Sequence, residues 1–336
     1  TTLFRSPKSL TDVKIMTQNN GPVFKCSPSS RITSSTNPSE DTGEVHYDIL
    51  TVMHELGIPL QHLQILGTQH LDFASISRFA STLKTARFFT AHNILLGGFE
   101  FPRNLTHLEL NSPQIPVPIW AALYPLLPES LVHLKVNNYA NEASIHALQR
   151  LTRLETLHIS GFSKSGPDFD SKLLAFLPRS LRYFRSAVAL FEPSTSFEAL
   201  PPTLTALHVS ASDLPGESRL LQTLPRSLRL LNVPFLLGAM STQVAKHLSQ
   251  LVALNLTMSG KTGVATETCA FLQHLKALKS LNMDLGSGIV TKALITSLPR
   301  SLLVVCFFSS HSTMLNDSDL AAVPPRAPDR LSVVPR

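Results

Sequence analysis

Cysteine is scarce in this chain: Cys26, Cys269 and Cys306 are the only three among 336 residues. Thiols this few and this far apart cannot make a disulfide framework, so a reducing compartment, cytoplasm or nucleus, is expected. Charge is sparse too, with 15% Asp, Glu, Lys and Arg and a net charge of +6. That excess permits an acidic partner but does not demand nucleic acid. No apolar run reaches about 18 residues, so neither a membrane-crossing helix nor a membrane partner is expected. The opening residues TTLFRSPKSL have no signal-peptide core and no starting Met, and read as the start of a fragment or processed product.

Catalytic signatures are missing as well. SGKTG at 259–263 would need a Gly five residues before Gly260 to make a phosphate loop, and Asn255 stands there. His54-Glu55-Leu56 runs into Gly57-Ile58-Pro59, so the second His of a zinc-helix motif is lacking. There is no G-x-S-x-G, no C-x-x-C and no evident carboxylate pair. We therefore expect no enzyme: no catalytic residue, no cofactor and no metal site.

What the chain has in abundance is one ten-residue phrase. LPESLVHLKV (127–136), LPRSLRYFRS (177–186), LPPTLTALHV (200–209), LPRSLRLLNV (224–233) and LPRSLLVVCF (298–307) are near-copies. Aligned on L-x-x-L-x-L, the residue opening the final L-x-L falls at Leu63, Ala86, Leu108, Leu134, Leu157, Phe184, Leu207, Leu231, Leu254, Leu281 and Val305. SPKSLTDVKI adds Val13, which lies 50 residues before Leu63, about two periods, so one repeat is expected to be missing or decayed between them. Alternation in L-x-L is that of a strand buried on one side. SIHALQRL (144–151), QVAKHLSQL (243–251) and TCAFLQHLKAL (268–278) carry helical spacing, with Phe271, Leu272, Leu275 and Leu278 on one face. The Pro of L-P-x-S-L ends the helix or turns the chain, because it cannot extend a hydrogen-bond ladder. One such unit cannot bury its apolar side alone; a stack can.

These repeats resemble the leucine-rich repeat superfamily, the ribonuclease-inhibitor-like solenoids, and are similar to the repeat regions of F-box proteins. The resemblance implies an α/β horseshoe solenoid, with a parallel concave sheet and helices or helical turns on the convex side. On this reading residues 1–16 hold a degenerate repeat and 17–46 an irregular or disordered insertion. Residues 47–310 form about 11 repeats, with YDILTVMHEL (47–56) as an entering helix, and 311–336 form a Pro-rich, partly disordered tail. The strand at 302–308 is apolar on both faces, and part of the tail is expected to cover its edge.

The function that follows is non-catalytic protein binding through the concave face. Each repeat turns three residues outward there, the ones before, inside and after L-x-L. Five of the 33 outward positions are His, namely His62, His107, His133, His158 and His208, against one or two expected from the chain average. The candidate partner-binding residues are Arg87, His107, Glu109, His133, Lys135, His158, Tyr183, Arg185 and His208. Arg185 would grip a carboxylate of an acidic or polar segment, and Tyr183 would anchor it. His107 beside His133 lacks a third metal ligand. Like charges nearby should depress the His pKa values and make binding vary near pH 6. The resemblance adds an alternative, the substrate receptor of an F-box-type ubiquitin ligase, with that ligase's components as partners and the F-box outside this chain. A nucleic-acid-binding solenoid is the third reading; modest charge and missing interleaved aromatics argue against it. The arginines of L-P-R-S, Arg179, Arg226 and Arg300, are expected on an outer turn as solvated charge.

Overall fold

A computed structural model describes residues 12–18, 21–27, 54, 57, 59–66, 70–72, 76–89, 93–95, 100–111, 115–137, 142–160, 174–186, 197–209, 221–234, 240–257, 266–284, 292–309 and 331–335. They fall into two compact units, Thr1–Lys164 and Ser165–Arg336. Each unit is a leucine-rich repeat solenoid, α/β in class, as its strand register shows.

In the first unit the strands are β1 (Asp12–Gln18), β2 (Gly21–Ser27), β3 (His62–Leu66), β4 (His70–Asp72), β5 (Thr85–Phe89), β6 (Asn93–Leu95), β7 (His107–Asn111), β8 (His133–Val136) and β9 (Thr156–Ile159). The main sheet runs β9-β8-β7-β5-β3-β1-β2. From β1 to β9 it is parallel, and the opening residues pair in one row: Val13 with Leu63, Leu63 with Ala86, Ala86 with Leu108, Leu108 with Leu134, and Leu134 with Leu157. In the second unit, β10 (Tyr183–Ser186), β11 (Ala206–Val209), β12 (Leu230–Pro234), β13 (Ala253–Thr257), β14 (Ser280–Asp284), β15 (Val304–Ser309) and β16 (Leu331–Pro335) follow in spatial order. There the row is Phe184, Leu207, Leu231, Leu254, Leu281, Val305 and then Leu331. The opening residues from Leu63 to Val305 are all buried, because period-two alternation puts them and the next-but-one residue on the core side.

L-P-x-S-L makes the same turn wherever it occurs. The Leu amide bonds the Pro carbonyl three residues back in Leu131→Pro128, Leu181→Pro178, Leu204→Pro201, Leu228→Pro225 and Leu302→Pro299. The hydroxyl of the fourth residue reaches the preceding coil. Ser130 Oγ donates to Leu105 O at 2.7 Å, Thr203 Oγ1 to Leu181 O at 2.9 Å, Ser227 Oγ to Leu204 O at 2.6 Å and Ser301 Oγ to Leu278 O at 2.7 Å. The recurring Ser or Thr thus satisfies a carbonyl that the coil-to-coil step would otherwise leave in the core without a donor.

Between strands the chain forms short helices that pack side by side: Val117–Leu123 with Glu142–Gln149, and Thr242–His247 with Thr266–His274, which meets Lys292–Thr296. Ser241 caps Thr242–His247 by accepting from Val244 N at 3.2 Å. The stretch with helical spacing at 268–278 forms a 3₁₀ helix over Thr266–His274. Its apolar set is buried as expected, Phe271, Leu272, Leu275 and Leu278 all facing the core. In the two coils after β3 and β5 a second small parallel pair forms, β4 with β6.

One further expectation is corrected. Residues 17–46 are not wholly irregular, since Gly21–Ser27 pairs antiparallel with β1 from Gly21 to Ser27. Among the described residues no repeat strand lies between Val13 and Leu63: β1 pairs directly with β3, in keeping with a repeat missing from the 50-residue spacing. As expected, part of the tail covers the edge of the 302–308 strand: β16 pairs with β15 in parallel. Of the expected entering helix, 47–56, only His54 is described.

Candidate functional site

Opposite the core-facing rows each sheet presents the residues between them. In the first unit β5, β7, β8 and β9 set Arg87, Glu109, Lys135 and His158 side by side in that order. Arg87 is the most open of its row, and Glu109 the more enclosed, with side-chain exposures of 52% and 16%. The Glu109 carboxylate takes a charged hydrogen bond from Lys135 Nζ on one oxygen, and its other oxygen lies 3.7 Å from Arg87 Nε. The two cations therefore already share an anion.

Two residues earlier in the strands, His107 pairs with His133. The rings stack, with centroids 4.2 Å apart and planes 27° from parallel. His107 Nδ1 lies 2.8 Å from Thr106 Oγ1. Burial, then the neighbouring charges of His133, Arg87 and His62, hold the His107 pKa below its ordinary value. Two residues later than Glu109 and Lys135 a polar ladder runs across the sheet: Asn137 Nδ2 donates to Asn111 Oδ1, and Ser160 Oγ donates to Asn137 Oδ1 at 2.7 Å. This face offers imidazole, amide and hydroxyl groups around an ion triad.

The second unit's face begins with β10. Tyr183 and Arg185 are half-buried on the solvent side, while Phe184 and Ser186 between and beyond them are buried. Arg185 pairs along the sheet with His208 on β11. Its Nε is buried with no hydrogen-bond acceptor, and among the described residues no carboxylate pairs with its guanidinium. Asn232, next in the row, donates from Nδ2 to His208 Nδ1 at 2.7 Å. That bond leaves the proton of neutral His208 on Nε2. Burial and then Arg185 push the His208 pKa down, which favours the neutral ring that Asn232 holds. Among the described residues no group of three or more His, Cys, Asp or Glu converges as a metal site.

The structure brings the candidate residues together in two sets, one in each unit: Arg87, His107, Glu109, His133, Lys135 and His158, and separately Tyr183, Arg185 and His208. Sequence reasoning missed that Glu109 is already engaged, although the alternating signs of Arg87, Glu109 and Lys135 at matching repeat positions carried that signal. It also missed Asn232 as the group that orients His208, and the Asn111–Asn137–Ser160 ladder.

No protein-family profile matches the chain, and neither does any curated protein. Solved structures similar to it include the leucine-rich repeat-containing protein LegL7 from Legionella pneumophila, at 13% identity and TM-score 0.46, covering 74% of this chain and 93% of that one. An internalin, inlF, from Listeria monocytogenes shares 14% identity with TM-score 0.45, covering 92% of this chain and 88% of its own. TLR13 in its complex with ssRNA13 shares 20% identity with TM-score 0.49, covering 81% of this chain and 43% of its own. The likeness is one of fold alone.

Proposed function

We propose that the chain is a non-catalytic protein-binding module whose sheet face takes a polar or acidic segment of another protein. The observation that carries this reading is Arg185. A guanidinium nitrogen buried without an acceptor is costly, and a carboxylate from outside would supply the missing bond. Tyr183 on the same strand offers a broad ring beside it. The first unit's cations are poorer candidates for the same role, because Glu109 already neutralises part of their charge. An open, ladder-like face with paired polar side chains suits a polypeptide better than a small substrate.

The test compares wild type with the Tyr183→Ala, Arg185→Ala double variant, by affinity capture of cellular proteins and by titration with an aspartate-rich peptide. The double variant should lose captured partners and bind the peptide at least about tenfold more weakly. Identical partner sets and equal peptide affinity would move the site off this face. Service as the receptor of an F-box-type ligase rests on the repeat resemblance. Co-purification of ligase components with a longer form of the chain would test it.

A further inference from the structure

A second feature of Ser165–Arg336 lies off the sheet face. Two open hollows adjoin there and share Arg226 and Gln250. The larger, about 710 Å³, is lined by Arg226, Lys246 and the amides of Gln222, Gln243 and Gln250, among others. The smaller, about 470 Å³, adds Arg182 and Arg229. Among the described residues no acidic side chain lines either hollow.

The repeat explains why these cations meet. Arg182 and Arg229 occupy the same position, just before the strand, in coils two apart. Thr205 N bonds Arg182 O, and Arg229 N bonds Thr205 O, each at 2.8 Å. Two strand spacings set them roughly 10 Å apart along the sheet. Arg226 is the variable residue of L-P-R-S, and Lys246 comes from the helix Thr242–His247 of the following coil. All four cations are exposed, and among the described residues none has an ion-pair partner. The core does not need them: the leucines and the hydroxyl ladder hold the coils together without any of the four. Four like charges gathered without a counter-charge repel each other, and a bound dianion relieves that repulsion.

We propose that this rim is a binding site for a phosphorylated peptide segment of a partner protein. Arginines forming bidentate bonds to phosphate oxygens, with neutral amides to fill the remaining acceptor sites, are the chemistry of phosphate recognition. Among the described residues the one ring in the lining is the His247 imidazole, which is tied through Nε2 to the Leu224 carbonyl at 2.7 Å, and the cationic stretch is too short to follow a strand of several phosphates. No large apolar side chain lines it either, so there is nothing to insert into a lipid surface. This site is independent of the sheet-face reading, since it shares none of Tyr183, Arg185 and His208.

The test uses the full chain and a fluorescein-labelled Gly-Ser peptide carrying two phosphoserines, followed by anisotropy. Its unphosphorylated twin, a single-stranded RNA 12-mer and phosphatidylserine vesicles serve as the other arms. The phosphopeptide should bind at least about tenfold tighter than the twin. Arg226→Gln with Arg229→Gln should remove about tenfold of that affinity, Lys246→Gln alone a smaller part, and Arg87→Gln in the other unit none. Circular dichroism of the variants should match wild type, because the substituted side chains are exposed. Equal binding of phosphorylated and plain peptides, full affinity in both the double variant and Lys246→Gln, or stronger binding of the RNA or the vesicles through the same arginines would overturn the proposal.

Discussion

His107 and His133 stack across β7 and β8, ring over ring at 4.2 Å, with Arg87 and His62 as further positive or protonatable neighbours of His107. Burial and these neighbours favour the neutral His107 ring in the folded chain, so its pKa lies below the ordinary 6.5 of an unfolded chain. A group with a depressed folded pKa binds fewer protons folded than unfolded at intermediate pH. Its contribution to stability is therefore complete above about pH 6.5 and is lost as pH falls through the folded pKa. His208, shifted in the same direction, adds to the same loss. Histidine proton NMR should give midpoints below 6.5 for both, and His133→Gln should move that of His107 upward. Midpoints at or above 6.5 would contradict the packing.

Glu109 joins Lys135 directly and Arg87 at 3.7 Å. The three side chains sit at the solvent side of the sheet, so screening limits what the triad contributes. A double-mutant cycle on Glu109→Gln and Lys135→Met, followed by urea unfolding, should return a coupling of about 0.5 kcal/mol, and the Arg87 cycle less. A coupling indistinguishable from zero at low salt would mean that the ion triad is not populated in solution.

The hydroxyl ladder carries a larger expectation. Ser227 Oγ donates to Leu204 O, and Leu204 is buried. Ser227→Ala should cost about 1–2 kcal/mol in urea unfolding, and Ser227→Thr much less, since Thr203 does the same task one coil earlier. An alanine variant as stable as wild type would show that water reaches the Leu204 carbonyl.

Period-two alternation and a recurring spacing made the strand register legible from the chain alone. Every residue from Leu63 to Val305 chosen as an opening position pairs or lies in its expected row, because a slip of one residue would turn all those leucines to water. The outward residues followed from the same register, and Tyr183 and Arg185 do face the solvent side. What the alignment did not supply was the bonding between rows. Glu109 lies next to Lys135 only once two coils stack, and whether Asn232 turns toward His208 depends on side-chain torsions that no spacing records. The second strand, Gly21–Ser27, carries no repeat phrase, so its antiparallel pairing with β1 left no periodic trace. The 3₁₀ winding of Thr266–His274 was hidden for a similar reason, since Phe271 and Leu272 can face the core under either winding and Leu275 and Leu278 are buried beyond the helix's end.

The edge of β15 is the last place where the fold is exposed to failure. Val304, Cys306 and Phe308 lie on its solvent side and Val305 and Phe307 on its core side, so the strand is apolar on both faces. Its free hydrogen-bonding edge would be a template for another chain, and β16 occupies it, pairing Val305 with Leu331 through Ser309 with Pro335. Pro335 at the end of β16 lacks an amide proton, which discourages one more strand from adding there. Truncation after Arg330 should leave the repeats folded but bare that edge. Light scattering should then show association that grows with protein concentration and that a Phe308→Lys substitution reduces. A truncated chain that stays monomeric at high concentration would show that β16 is not what keeps this edge closed.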